Sequence, residues 1–194
     1  MFCKKTNYNE NKLEVNNLYG HYINNRVVVF DTETTGLDVT QNDIIKIAAI
    51  AIVKGEITEH INFYFETDQS LSPTQKIHNI SNEELAKKAI DKKIGLMMFT
   101  DFIGSDPIVA HNIFYDYQIL NSNLEKIGLE KIYVNKMFCT LKISRITFPE
   151  INSYKLSNLI KQLSLEGINS HDALDDTKAT VNLLAKIVEK NKIF

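Results

Sequence analysis

Arg26-Val27-Val28-Val29-Phe30-Asp31-Thr32-Glu33-Thr34-Thr35-Gly36 is the stretch that decides the fold. Beyond Arg26 its first five residues are apolar, three β-branched valines and a phenylalanine, the composition of a buried strand. Two carboxylates then stand at the end of that strand, where burial penalises charge unless something neutralises it. Residues i and i+2 of a strand face the same way. Asp31 and Glu33 therefore converge on one spot, and a divalent metal ion is the neutraliser their chemistry favours. Thr34-Thr35-Gly36 turns the chain close to that spot. A lone Asp-x-Glu is a weak signal, so its weight depends on what else the chain supplies.

Working outward, 44–53 reads as a second strand, Lys54-Gly55 as a hairpin turn and 57–65 as a third strand, with Ile57, Ile61, Phe63 and Phe65 on one parity. Together with 27–32 they predict an antiparallel meander. Ser81-Asn82-Glu83-Glu84 has the pattern of a capping box, opening a helical stretch. Further helices are expected over 90–103, 113–127, 140–147, 155–164 and 171–190, with a short strand over 107–111 between the first two. Three antiparallel strands followed by strand–helix alternation predict an α/β layered domain with a mixed sheet. Residues 1–25 are polar and Asn-rich, and read as an N-terminal extension with a short helix packing on the body; the domain proper is expected over 26–194.

The chain has 194 residues, 44% of them apolar, with only 7 Gly and 3 Pro, and this suits one compact domain. Its net charge of −2 argues against broad, sequence-independent binding to duplex DNA. A narrow nucleic-acid site whose positive charge comes from metal ions remains compatible with it. Cys3 and Cys139 form no ligand pattern, and so few cysteines fit a reducing cytoplasm. No apolar run is long enough to predict a membrane span.

Two more acidic motifs matter. In Val109-Ala110-His111-Asn112-Ile113-Phe114-Tyr115-Asp116, Asp116 follows a strand end and opens a helix. In His171-Asp172-Ala173-Leu174-Asp175-Asp176, His171 and Asp176 become near neighbours at the start of the last helix. Asp172 and Asp175 read as first-turn acids favoured by the helix dipole.

Phe30-Asp31-Thr32-Glu33-Thr34-Thr35-Gly36-Leu37, Ala110-His111-Asn112-x-x-Tyr115-Asp116 and His171-x-Ala173-Leu174-x-Asp176 resemble the three motifs of the DEDDh 3′–5′ exonucleases. That is the family of the epsilon proofreading subunit of bacterial DNA polymerase III and of the exonuclease domain of the Gram-positive replicative polymerase. The resemblance covers about residues 26–190. It extends to Asp43–Ile50, Ile77–Ser81, Cys139–Arg145 with Pro149, and Ser153–Leu156. Four positions depart from the family pattern: Lys46 for glutamate, Asn79 for glycine, Ile113 for a small residue and Cys139 for aspartate.

The resemblance implies an RNase H-like fold with a five-stranded sheet, three antiparallel strands and then two parallel ones. It implies two divalent ions, Mg²⁺ or Mn²⁺, held by Asp31, Glu33, Asp116 and Asp176, with Asp31 bridging. His171 would be the general base that takes a proton from the attacking water, a task an imidazole can perform near neutral pH. The substrate would be a nucleic acid with a free 3′ end, single-stranded DNA or RNA. The backbone around Thr32, Thr34, Thr35 and Gly36 would grip the 3′-OH, and Leu37 would wedge against the terminal base. His78 and Asn112 are further candidate contacts; read from residue type alone, His78 is equally a packing histidine and Asn112 a turn former. Lys142, Arg145, Lys155 and Lys161 read as a solvated helical face. Polymerase association is an option, but the chain stops soon after the last helix with no tethering tail, which favours a stand-alone nuclease or a non-standard proofreader. Two other functions compete: a catalytically silent module that binds nucleic acid or a partner, and a different metal phosphoesterase on an RNase H-like sheet.

Overall fold

The computed structural model describes residues 8–72 and 74–192. Cys3 and the first residues of the expected extension lie outside the described residues. Six strands form one sheet: β1 (Arg26–Thr34), β2 (Ile44–Val53), β3 (Glu56–Phe65), β4 (Ala89–Ile90), β5 (Ile108–Ala110) and β6 (Met137–Cys139). Their spatial order is β4-β3-β2-β1-β5-β6. β1, β2 and β3 are antiparallel, β5 and β6 continue parallel to β1, and β4 runs parallel to β3. This mixed sheet with helices on both faces is the RNase H-like architecture. It has one strand more than the five expected. β4 is two residues long, too short for any periodicity, and its second residue takes the position read as the start of the 90–103 helix.

The helices are α1 (Tyr8–Asn24), α2 (Gln75–His78), α3 (Asn82–Lys88), α4 (Lys92–Ile103), α5 (Ile113–Lys126), α6 (Thr140–Thr147), α7 (Leu156–Gln162) and α8 (Ala173–Asn191). Alternation along β1 sorts the core. Val27 and Val29 face a layer made of α1, α6, α7 and α8, whereas Val28 and Phe30 face α4 and α5. Asp31 and Glu33 continue the first parity, toward α8; Thr32 continues the second, toward α5. α4 begins at Lys92 because Asp91 caps it, its side chain accepting from Ile94 N at 2.8 Å. Gly95 lets α4 close on the sheet edge, since a Cβ there would lie 2.5 Å from the Phe65 ring.

The capping box at Ser81 forms by half. Ser81 Oγ accepts from Glu84 N at 3.1 Å, but the Glu84 carboxylate pairs with Lys88 Nζ at 2.7 Å. The N-terminal helix is 17 residues long, more than the short helix expected, and it buries Val15 and Leu18 in the α8-side core.

Candidate active site

The strand β1 brings its two acids to the sheet's end on one face, and the start of α8 brings a third. Oxygens of Asp31, Glu33 and Asp176 lie within 4.8 Å of one another. Glu33 and Asp176 are buried and Asp31 is partly exposed. Asp116, buried in the first turn of α5, lies outside this trio and accepts a 2.7 Å hydrogen bond from Thr32 Oγ1. Its charge still reaches Asp31. Asp176 is oriented by Asn169 Nδ2 and by Ser170 N, the latter at 3.1 Å. His171 is exposed, two residues before α8, with φ of 54°, so the chain turns sharply there and presents the imidazole to solvent.

The electrostatics are those of crowded, desolvated acids. Burial first, then Asp116, Glu33, Asp176 and Asp172, hold Asp31 well above its ordinary range. Burial and the charges of Asp176 and Asp172 push Glu33 up to about 9, against an opposing pull from Lys46. Burial takes Asp116 to about 7 despite its bond from Thr32. Asp176 rises to about 6, again by burial, opposed by His171 and Asn169. Clusters of groups this perturbed occur preferentially at functional sites. The donor set fits a hard divalent cation: three carboxylates within reach of one another, no thiolate among them, and too little resident positive charge to neutralise them.

The loop after β1 is tightly specified. Thr34 Oγ1 and Tyr115 Oη are 2.8 Å apart, and Tyr115 Oη donates to Gly36 O at 2.8 Å. Thr35 Oγ1 accepts from Asp43 N at 2.9 Å and donates to Gln69 Oε1 at 2.5 Å. The hydroxyls of Thr32, Thr34 and Thr35 are thus engaged within the protein. A Cβ on Gly36 would lie 2.6 Å from Asn42 Oδ1, and that oxygen accepts from Asp38 N at 2.9 Å. Leu37, 84% exposed, projects from this loop.

His78 is buried with both ring nitrogens used. Nδ1 accepts from Ile80 N at 3.0 Å, so the proton sits on Nε2, which donates to Thr74 Oγ1 at 3.0 Å. Thr74 passes the link to Thr34 O. Asn112 is exposed at the start of α5 in the left-handed region, φ 71°, and its side chain makes no capping bond. His111 ties Thr140 Oγ1 to Tyr154 O, each at 2.9 Å.

A family profile for exonucleases of the RNase T type matches residues 28–184. The chain belongs to this exonuclease family. The PolC-type DNA polymerase III of Bacillus cereus is 33% identical over 162 residues, which are 84% of this chain and 11% of the polymerase. That of Oceanobacillus iheyensis is 34% identical over 163 residues, again 84% and 11%. The exonuclease chain thus spans about a tenth of the length of these curated relatives. Among solved structures, exonuclease X in complex with 5′-overhanging duplex DNA superposes with a TM-score of 0.65 at 27% identity, over 86% of this chain and 93% of that one. E. coli exonuclease I in complex with a dT13 oligonucleotide shares the fold, with a TM-score of 0.78 at 20% identity, over 87% and 42%.

Two residues beside the acids carry more than the sequence reading allotted them. Lys46, in β2, is buried, pairs with Asp172 Oδ2, and lies 4.4 Å from the Tyr64 ring centre. Asp172 is no generic first-turn acid. It is the N-cap of α8, its Oδ1 accepting from Leu174 N at 3.0 Å and Asp175 N at 3.4 Å. The available signal was a single lysine inside Ile44-Ile45-Lys46-Ile47-Ala48-Ala49-Ile50, a run otherwise wholly apolar.

Proposed function

We propose that the chain is a metal-dependent 3′–5′ exonuclease that removes nucleoside 5′-monophosphates from the 3′ end of single-stranded DNA or RNA. The observation that carries this reading is the convergence of Asp31, Glu33 and Asp176 on one point, with Asp116 electrostatically coupled beside them. These four carboxylates would hold two divalent ions, Mg²⁺ or Mn²⁺. Such ions, when bound, supply charge stabilisation to the attacking and leaving oxygens of a phosphodiester.

The chain's own residues divide the remaining work. His171, exposed at the mouth of the site, accepts the proton of the attacking water. The grip on the terminal 3′-OH is assigned to backbone groups of 32–36 other than Thr34 O, Thr35 N and Gly36 O, which, like the three threonine hydroxyls, are engaged within the protein. Leu37 stands free to pack against the terminal base. A DNA substrate is favoured by the likeness to exonuclease X, which was captured with DNA, and to DNA polymerases. Association with a polymerase fits the same likeness.

Strands of DNA and RNA labelled at either end, with free or blocked 3′ termini, test the proposal in the presence of Mg²⁺ or Mn²⁺. A ladder shrinking from the free 3′ end, absent in Asp31→Ala and in EDTA, is the expected result. Internal cleavage, or digestion of the blocked strand, would point to a different phosphoesterase. Binding without cleavage would point to a silent module.

A further inference from the structure

The Lys46–Asp172 pair adjoins the acids yet has no part in the reaction just described. Lys46 faces Glu33 across the β1–β2 ladder, and residues opposite each other in an antiparallel pair project from the same face. Its side chain is 2% exposed. An ammonium is expensive to bury, and a buried ion pair is often no more stable than two apolar residues of its volume. Nor does α8 need it: Asp172 Oδ1 caps the helix, and only Oδ2 meets the lysine. What Lys46 adds is charge. Asp172 pushes Asp31 and Glu33 upward, and Lys46 pulls Glu33 the other way.

We propose that Lys46 is a resident counter-charge for the acidic cluster, and that the Lys46–Asp172 pair sets the affinity of the site for divalent cations. This rests on the metal-binding reading above. Lys46, its side chain buried, is a positioning residue. The two halves of the pair act with opposite sign: the lysine weakens cation binding and holds the cluster together without metal, while the aspartate strengthens it. One unit charge beside a divalent ion, at an effective dielectric of about 20 and screened by salt, would change its affinity by at least roughly tenfold.

The test is a Mn²⁺ titration followed by thermal unfolding, at fixed pH and ionic strength, without nucleic acid. Wild type should gain melting temperature with Mn²⁺, and Asp31→Asn should not. Lys46→Met should lower the melting temperature without metal and reduce the half-saturating Mn²⁺ about tenfold. Asp172→Asn keeps a capping side chain and should raise half-saturation by a similar factor. Lys46→Arg should stay within about twofold of wild type. Midpoints that move in the same direction in Lys46→Met and Asp172→Asn, or not at all, would overturn the proposal, since loosened packing acts alike on both. If Lys46→Met does not fold, an Asp172→Asn midpoint at or below that of wild type overturns it. No Mn²⁺ response in wild type would instead overturn the metal reading, and this proposal with it.

Discussion

Glu33→Gln should stabilise the protein in EDTA while reducing its response to metal. Glu33 is buried, and its carboxyl lies at about 9 against an ordinary 4.5. A carboxyl raised in the fold binds more protons folded than unfolded between those two values, so stability is full below about 4.5 and falls as pH rises toward 9. Neutral pH lies about 2.5 pH units above the lower value, and each unit costs about 1.4 kcal/mol. The metal-free fold therefore forgoes roughly 3 kcal/mol at pH 7 through this one group. Glutamine has nearly the same shape and no charge to lose. For a domain of this size, 1 kcal/mol moves the melting temperature by about 2–4 °C, giving an expected gain of roughly 6–12 °C at pH 7. The assay is thermal unfolding in EDTA from pH 4 to 9, repeated with Mn²⁺. The gain should vanish near pH 4 and grow through neutrality, and the Mn²⁺-induced rise should shrink. A variant that melts at or below wild type in EDTA at pH 7 would refute the reasoning, because Glu33 would then be compensated within the fold.

Three further outcomes follow from the same geometry. His171→Gln should lower nuclease turnover by about 10²-fold or more while leaving the Mn²⁺ thermal shift unchanged, which separates a base from a ligand. Thr32→Val removes the 2.7 Å donor to Asp116 and lets that carboxyl rise further above about 7. The rate at pH 7 should fall and partly recover toward pH 9; superimposable pH–rate profiles would exclude the effect. Gly36→Ala should push Asn42 from its contact with Asp38 N and displace Leu37, raising KM several-fold with kcat changed less than about threefold, as measured on short oligonucleotides.

Much of the fold was legible because its signals are local. Val27 to Phe30 is an apolar run and Ile44 to Val53 a longer one interrupted only by Lys46, and a two-residue alternation carried Asp31 and Glu33 to one face without knowledge of anything else. Asp176 became legible through its spacing from His171. The unreadable parts are those with no local signature. β4 exists because β3 is nearby and Gly95 lets α4 approach, a tertiary circumstance. The role of Asp172 depends on a lysine 126 residues away in sequence. His78 could be read equally as packing or as a substrate contact; only the positions of Ile80 N and Thr74 Oγ1 show that both its nitrogens are used.

The helix α1 precedes the first residue matched by the exonuclease profile, yet Leu18 is wholly buried and Val15 nearly so, against β1, β2 and α8. Lys142 on α6 pairs with Glu14 of α1. The boundary of the chemistry and the boundary of the folding unit therefore differ by about twenty residues. A fragment trimmed to the family limits would keep every acid, the imidazole and the loop, and would expose the face of the sheet on which α8 sets Asp176. Burial of one leucine is worth about 1.5–3 kcal/mol. Loss of the whole helix would consume much of the margin of a domain whose net stability is about 5–15 kcal/mol. Inactivity of such a fragment would report a collapsed scaffold, with nothing learned about the catalytic groups it still contains.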